Sequence, residues 1–569
     1  MKATKVLTRV TLAMALAMAT MAGAATRYWS TGDGTWNDTP ADPGNWDTAN
    51  VVPVDEDSVV VNRADGATVS FESTNFDDTG ENLVDLTLGG NGGASKLVVG
   101  TDGGDPAVPY VLQFSNALTI DDGGTLEVTG GQVADTGSGN RYVYINDGGS
   151  LKVTSGSLNL QTNTGIRLAW STDHNASLEV SGTGKITAAA ENGNNFYAYN
   201  GNSTLTIADS GELQFSKGIY VGTINFGAQY GGGTHDWTIS GGILKSLYPQ
   251  NSEAFFGNTS NNGTVSINQS GGIVTLGINR FRENATLNLS GGEWRPGNFY
   301  LDGGQVIQSG GTLSTGGVVA VDDSGTYTSE GGTVRLRYFT VADGQLSLDE
   351  NTTLILNNAG TGKVITIGET SGSGTGTFEM KGFDTITADV TNWGAHAGVK
   401  VNQTGVIRGN GYFWGSWADI DMNGRVVADG YGNEETLRLN FGVTNTVDNT
   451  TDKGWYAVNG GKLLLPDITV AAGDSQRNWG EPDTDTTIDM INSLRMEFTD
   501  VGTSGPLTIS LLAPDRSDVP TAPAALRGGP VIGVWDIADN GSFDFGGGSV
   551  DLTFRYDNSL YSLNKPNPL

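Results

Sequence analysis

The chain has 569 residues, a formal net charge of −31 and 85 glycines. An acidic surface of this kind keeps a protein dispersed and repels polyanions, so nucleic acid and anionic lipid are excluded as main partners. There is no cysteine, which excludes disulfides, thiol catalysis and cysteine-based metal sites.

The first 24 residues have the organisation of a secretory signal peptide. Three basic residues within the first nine positions precede the apolar stretch Val10–Met21, and Ala22–Ala24 matches an A-x-A cleavage site. The apolar stretch is short for a transmembrane helix, although an uncleaved anchor is the alternative interpretation. We predict a secreted protein, extracellular or on the cell surface, with the periplasm as a further location.

The segment that follows is rich in tryptophan. We predict that residues 25–82 form an N-terminal aromatic cap with the first strands, because an open end of a repeat stack presents unpaired backbone groups and apolar surface. The same tryptophans could instead form a platform on which sugars stack. These residues are Trp29, Trp36 and Trp46.

A repeated motif occupies residues 83–475. It consists of an alternating strand, a glycine pair and a second alternating strand, as in LTIDDGGTLEV at Leu118–Val128. The glycine pairs begin at Gly123, Gly148, Gly241, Gly271, Gly291, Gly310 and Gly331. Most are about 20 to 30 residues apart, which is typical of one solenoid coil. Because every second side chain of a strand points inward, we predict an all-β, right-handed parallel β-helix.

The repeat is lost over residues 476–569, where prolines become frequent. The sequence allows either a short helix over Ile488–Phe498 or a strand at Ser493–Phe498. Further strands are predicted at Leu507–Leu511, Val531–Ile537 and Ser549–Tyr556. Together they indicate a small C-terminal β-sandwich-like module.

Several of these segments resemble one group of proteins. The opening tryptophans, the SVVVN strand at Ser58–Asn62, the SGG-punctuated coils and the segment Ile407–Gly430 are similar to those of secreted bacterial surface proteins of the autotransporter-passenger type. The resemblance implies a right-handed parallel β-helix at or outside the cell surface. It implies no catalytic residue.

Catalysis on a β-helix wall would require clustered acids. The pairs Asp121–Asp122 and Asp322–Asp323 directly precede a turn and are typical of solvated corners. Asp419 and Asp421 are spaced to share one face of a strand. We predict that the protein is not an enzyme, with a polysaccharide lyase or hydrolase as the alternative.

Metal-ligand patterns are weak. The three histidines have no zinc-site spacing, and no cofactor is predicted. Glu481, Asp483 and Asp485 place three carboxylates in one loop, and oxygen ligands of this kind suit Ca²⁺. Their spacing differs from that of an EF-hand, and a solvated acidic loop is the alternative.

The composition favours a structural or adhesive protein of the cell surface or extracellular space. Its predicted partners are cell-envelope or extracellular matrix components, including polysaccharide. The alternative is a carbohydrate-binding or polysaccharide-degrading protein that uses edge-loop aromatics. Candidate glycan contacts are Trp294, Phe299, Tyr300, Trp414 and Trp417. Exposed aromatics that converge with carboxylates in one groove would favour this alternative; buried aromatics and scattered acids would favour the structural role.

Overall fold

In the computed structural model the described residues are 25–29, 34–36, 53, 57–71, 83–90, 93–101, 109–138, 141–160, 164–188, 196–216, 219–221, 232–247, 249, 252–257, 263–356, 364–383, 386–388, 398–413, 420–439, 442–446, 453–520, 533–539 and 541–555. The predicted signal peptide, Trp46, Trp414, Trp417 and Asp419 lie outside them.

The described chain is all-β and contains no α-helix. Its strands form a long, mostly parallel sheet, as the predicted β-solenoid requires. The chain divides into two compact units, Met1–Phe255 with Ser260–Val265, and Phe256–Thr259 with Ser266–Leu569. We describe each unit by itself.

Among its described residues, the first unit contains nineteen complete strands. They are β1 (Thr26–Tyr28), β2 (Gly34–Trp36), β3 (Ser58–Val61), β4 (Ala67–Phe71), β5 (Leu83–Leu88), β6 (Ser95–Val99), β7 (Val111–Ile120), β8 (Thr125–Asp135), β9 (Arg141–Ile145), β10 (Gly149–Leu160), β11 (Thr164–Leu168), β12 (Asn175–Val180), β13 (Lys185–Ala188), β14 (Phe196–Ala198), β15 (Asn202–Ile207), β16 (Glu212–Phe215), β17 (Ile219–Val221), β18 (Thr234–Ile239) and β19 (Ile243–Ser246). Residues of both units contribute to β20 (Glu253–Phe256) and β21 (Thr264–Gln269).

The second unit contains the remaining strands. They are β22 (Ile273–Arg282), β23 (Ala285–Leu289), β24 (Glu293–Asp302), β25 (Gln305–Gln308), β26 (Thr312–Ser314), β27 (Val318–Asp322), β28 (Gly325–Ser329), β29 (Gly332–Leu336), β30 (Tyr338–Val341), β31 (Gly344–Asp349), β32 (Thr352–Leu356), β33 (Val364–Ile367), β34 (Gly376–Phe383), β35 (Ile386–Ala388), β36 (Gly398–Val401), β37 (Gly405–Phe413), β38 (Ile420–Met422), β39 (Arg425–Asp429), β40 (Thr436–Leu439), β41 (Val443–Thr446), β42 (Gly454–Val458), β43 (Lys462–Leu464), β44 (Ile468–Val470), β45 (Gln476–Trp479), β46 (Leu494–Phe498), β47 (Gly505–Leu512), β48 (Val534–Asp539) and β49 (Val550–Phe554).

Three rows of parallel strands build the first unit. Row A contains β4, β6, the first halves of β8 and β10, and β12, β15 and β18. Row B contains the first half of β7, the second halves of β8 and β10, and β13, β16 and β19. Row C contains β3, β5, the second half of β7, β9, β11, β14 and β17. From β5 onward the chain visits C, A and B in turn, so each of these coils adds one strand to every row.

Inward side chains stack in register along these rows. In row A the ladder consists of Leu97, Leu126, Leu151, Leu178, Leu205 and Trp237, all buried. Each such side chain contributes about 1.5–3 kcal/mol relative to an exposed position. In the second unit the corresponding ladder is Leu287, Val306, Tyr327, Leu346, Phe378, Ile407, Val426 and Trp455. These ladders form the core of each unit.

The glycine pairs lie at corners between strands. Gly148 has a φ of +86°, and Gly292 has a φ of +71°, a region that glycine enters without steric cost. A Cβ at Gly292 would lie 2.5 Å from backbone atoms of Gly271 and Gly272. Successive corners therefore stack on each other too closely for a side chain.

The last part of the second unit is antiparallel. Strand β47 pairs with β43, β44 and β48, while β45, β46 and β49 form a separate three-stranded sheet. The three strands predicted at Leu507–Leu511, Val531–Ile537 and Ser549–Tyr556 are confirmed within the described residues, which do not include Val531 and Tyr556, and β46 confirms the strand alternative at Ser493–Phe498. The alternative helix over Ile488–Phe498 is wrong, because the buried–exposed pattern of β46 alternates with period two.

Candidate binding surface

The structure corrects two of the predicted glycan contacts. The side chains of Trp294 and Phe299 are fully buried, and both rings pack against Phe281 in the core. The indole N–H of Trp294 donates to Asn279 Oδ1 at 3.1 Å. Neither ring has a face open to a ligand.

Tyr300 is half-buried and lies on the outer face of β24. The guanidinium of Arg280 lies 4.3 Å from the centre of its ring, and the same guanidinium forms a salt bridge of 3.2 Å with Asp302. Tyr300 is thus one ring beside an arginine whose charge is already neutralised, and we do not place it in the binding surface. Trp414 and Trp417 are outside the described residues.

The carboxylates proposed for catalysis do not form one cluster in the described part of the chain. Asp323 has like-charged neighbours, and burial together with these charges raises its pKa; they are Asp322, Asp302, Asp343 and Glu283. Asp122 and Asp323 adopt positive φ, +31° and +49°, as expected of turn acids. Asp421 lies 3.7 Å from Lys400 Nζ, and Asp419 is outside the described residues. These carboxylates lie at corners or in ion pairs.

The three calcium candidates have protein partners. Glu481 is buried, and its carboxylate accepts hydrogen bonds from the Asp489 amide at 3.0 Å and the Ser493 hydroxyl at 3.1 Å. Burial raises the pKa of Glu481. Asp483 lies 3.7 Å from Arg477, and Asp485 accepts from Thr446. Among the described residues, no group of three or more acids or histidines is arranged to hold a metal ion.

A charged cluster on the second unit has the residue types of an active site. The Tyr431 hydroxyl donates to Glu379 at 2.8 Å, and Nε of Arg408 donates to the buried Asp429 at 2.8 Å. Burial, followed by the hydrogen bond to Glu379, raises the pKa of Tyr431 above its ordinary value. The phenol therefore stays protonated, and the cluster holds the Tyr431 turn (φ +49°) rather than offering a base.

A different cluster lies on the outer face of row C. We call it the arginine–aromatic patch, and its members are Tyr142, Tyr144, Arg167, Trp170, Tyr197 and Tyr199. In β9 the inward positions are Val143 and Ile145, so Tyr144 points outward. Register then places Arg167 beside Tyr144 and Tyr197 beside Arg167.

Arg167 lies at the centre of the patch. Its guanidinium carbon is 3.4 Å from the ring centre of Tyr142 and 4.0 Å from that of Trp170. Tyr197 and Tyr199 stack at 5.1 Å with an interplanar angle of 21°, and Tyr199 meets Trp170 edge-on at 4.8 Å. Tyr197 and Tyr199 are 8% and 7% exposed, whereas the other members are half-buried. The patch therefore has a rigid back and an accessible front.

Among the residues that the structure describes, no acid is paired with the charge of Arg167. No salt bridge joins it to any carboxylate within the described ranges, and its one hydrogen bond goes from Nη1 to the Tyr144 hydroxyl at 3.5 Å. Its Nε is buried and has no hydrogen-bond partner there. Arg408, in contrast, is tied to Asp429. The faces of Tyr142 and Trp170 stabilise the Arg167 cation instead. In a chain with a net charge of −31, Arg167 is the candidate ligand contact of the patch.

A polar groove of about 400 Å³ lies on row A of the same unit. Its lining includes Asn175, Ser177, Asn202, Thr204, Thr234 and Asp236. The side chains are connected from coil to coil, since Asn202 Nδ2 donates to Asn175 Oδ1 and the Thr234 amide donates to Asn202 Oδ1, both at 2.9 Å. The groove thus presents amides, hydroxyls and one carboxylate on successive strands.

One corner of the coil separates patch and groove. Trp170 ends the row C side of the corner and Asn175 begins row A, so five residues of chain limit their Cα separation to about 18 Å. Below the groove, buried His235 makes contacts of 3.0 Å from Nε2 to the Tyr199 carbonyl and 2.9 Å from Nδ1 to Ser203 Oγ. Burial lowers the pKa of His235 to about 4. A neutral His235 that donates from Nε2 therefore holds a patch residue and a groove strand together.

Neither the patch nor the groove is among the features predicted from the sequence. A signal was present: the pattern aromatic–small or aliphatic–aromatic occurs as Tyr142–Tyr144 and again as Tyr197–Tyr199. This spacing predicts outward aromatic residues within each coil, but it does not show which residues of other coils lie beside them.

Comparison with protein-family models, curated proteins and solved structures found no match. In the described chain there is no helix with the length and apolar character needed to cross a membrane.

Proposed function

We propose that this protein is a secreted structural or adhesive β-solenoid of the cell surface or extracellular space, without catalytic activity. One observation carries the proposal: the described wall bears an ordered aromatic patch and a polar groove, while the carboxylates considered for catalysis or calcium lie at corners, in ion pairs or in hydrogen-bonded networks. Such a wall offers contact without acid–base chemistry.

The finer architecture belongs to the same proposal. A right-handed coil is supported by the strong preference of parallel strand connections for that hand. An N-terminal cap is supported by the burial of Trp29 and Trp36 and by the edge-on packing of Trp36 against Phe71 at 5.3 Å. The separate three-stranded antiparallel sheet of β45, β46 and β49 supports a distinct C-terminal module.

Export is supported by the signal-peptide pattern of the first 24 residues. The resemblance to passenger-type surface proteins supports a location at or outside the cell surface. Partners would be envelope or matrix components, including polysaccharide, and the acidic surface disfavours nucleic acid.

The test is a subcellular fractionation followed by a co-sedimentation assay. We expect the native protein in the envelope or the medium, and we expect purified mature protein to sediment with isolated envelope or matrix material. Incubation with a panel of polysaccharides should release no new reducing ends or unsaturated products. A cytosolic location or a failure to sediment would overturn the adhesive role. Released products would instead establish the polysaccharide-degrading alternative.

A further inference from the structure

We propose that the arginine–aromatic patch and the polar groove together bind a neutral polysaccharide strand. This inference rests on the proposed adhesive function and names the ligand class for one site on the first unit.

The patch has the chemistry to hold the apolar face of a sugar ring. Aromatic rings bury C–H surface at low entropic cost, because tyrosine and tryptophan have only two side-chain torsions each. The stacking of Tyr197 on Tyr199 and of Arg167 on Tyr142 further fixes these rings. A sugar that stacks here meets a surface that is already ordered.

Arg167 supplies hydrogen-bond donors at the same place. A guanidinium has five N–H groups in a fixed fork. The Nε–H of Arg167 is buried, and within the described residues its terminal amino groups make only the long hydrogen bond to Tyr144. Sugar hydroxyl and ring oxygens accept from such donors without requiring a ligand charge.

The groove is suited to the hydroxyl groups of the next sugars along a strand. Asn175 and Asn202 present amide groups that both donate and accept, and Thr204 adds a hydroxyl. Because Thr204 and Asp236 are register partners on adjacent strands, the donors and acceptors recur from coil to coil. A polymer with repeating hydroxyls matches this repetition better than a small molecule does.

The charge distribution favours a neutral polymer over an anionic one. Asp236 lies in the groove, and the chain as a whole carries a net charge of −31. A polyuronate would meet repulsion from both, screened only at high salt. One arginine outside the groove does not offset this repulsion along the length of a polyanion.

Binding is measured with the purified mature protein by affinity electrophoresis and isothermal titration. The probes are soluble neutral polysaccharides (glucan, mannan, xylan and galactan), with polygalacturonate as the anionic comparison. We expect at least one neutral polymer to bind with an affinity that changes little between low and high salt. Binding of polygalacturonate alone, with strong salt dependence, would overturn the choice of a neutral ligand.

Variants locate the site. Trp170→Ala and Tyr144→Ala should each weaken binding by about tenfold or more, and Arg167→Lys should weaken it because lysine keeps the charge but loses the planar fork. Thr204→Tyr fills the groove from an exposed position and should also abolish binding. If a patch variant unfolds, Thr204→Tyr still tests whether the groove binds the polymer. Tyr300→Ala is the matched control, since it removes a similar ring beside a guanidinium on the other unit, and it should bind like the wild type.

Two outcomes separate this inference from the adhesive proposal. Sedimentation with envelope material but no binding to any glycan would overturn the glycan site and leave adhesion to another surface. Glycan binding that survives both Trp170→Ala and Thr204→Tyr in folded protein would overturn the assignment to this patch and groove.

Discussion

At the scale of single residues, His235 shows how burial fixes a chemical state. The imidazole lies between row A and the corner below Tyr199, with its Nε2 directed to two carbonyl oxygens, those of Tyr199 and Gly232. Burial disfavours the charged ring, although the two carbonyls oppose this effect, and the pKa falls from 6.5 to about 4. The residue therefore acts as a neutral connector and not as a catalytic base.

A pH dependence of stability follows from this shift. The unfolded chain takes up the proton near pH 6.5, whereas the folded chain resists it until about pH 4. The contribution of His235 is thus fully present above pH 6.5 and is lost as the pH falls from 6.5 to 4, by about 3 kcal/mol in total. Denaturant unfolding of the wild type and of His235→Gln at pH 7.0 and 4.5 measures it. An equal loss of stability in both proteins would contradict the assignment.

At the scale of strands and corners, alternation and glycine spacing were sufficient to predict the β-solenoid. Alternation is a local property, because Leu126 and Val128 point inward whatever lies in the next coil. The alternation of inward and outward side chains can nevertheless change within a strand. In β24 the alternation of buried and exposed side chains changes at Gly297–Asn298, so that Phe299 points inward and Tyr300 points outward. No local sequence pattern predicts that change.

The candidate surface was hidden from the sequence for a different reason. Its residues come from successive coils whose lengths differ: Arg167 follows Tyr144 by 23 residues, whereas Asn200 follows Trp170 by 30. With unequal coils, the row partners of an outward side chain cannot be counted along the chain. Only the register of the folded strands brings Tyr144, Arg167 and Tyr197 together.

The stacked corners make a prediction at this scale. Gly292→Ala would combine a φ of +71° with Cβ contacts of 2.5 Å to the backbone of the preceding corner, so we expect a loss of at least about 2 kcal/mol in the free energy of unfolding. Gly316→Ala is the matched control, since a Cβ there has no atom within 4 Å, and it should change stability by less than about 1 kcal/mol. Denaturant titration of both variants measures these changes in the free energy of unfolding. Similar losses in the two variants would show that the close stacking of corners does not cause the loss in Gly292→Ala.

At the scale of the whole molecule, the net charge of −31 destabilises the folded chain through self-repulsion. Ion pairs such as Lys185–Glu212 at 3.1 Å and Lys245–Glu212 at 2.8 Å are local and partly exposed, and each contributes little. Raising NaCl from about 10 mM to 0.5 M shortens the screening length from roughly 30 Å to a few ångströms. The midpoint temperature of thermal unfolding should therefore rise by several degrees.

The same experiment separates general screening from a calcium site. Glu481 is occupied by amide and hydroxyl donors, and Asp483 is near Arg477, so we expect millimolar CaCl₂ and MgCl₂ to raise the unfolding temperature equally. A specific ligand stabilises by an amount that grows with the logarithm of its concentration. A calcium effect that exceeds the magnesium effect and disappears in Asp485→Asn would place a cation in the Glu481–Asp485 loop. Equal effects of the two salts would indicate that the acids of the Glu481–Asp485 loop have only a structural role, through their contacts within the protein.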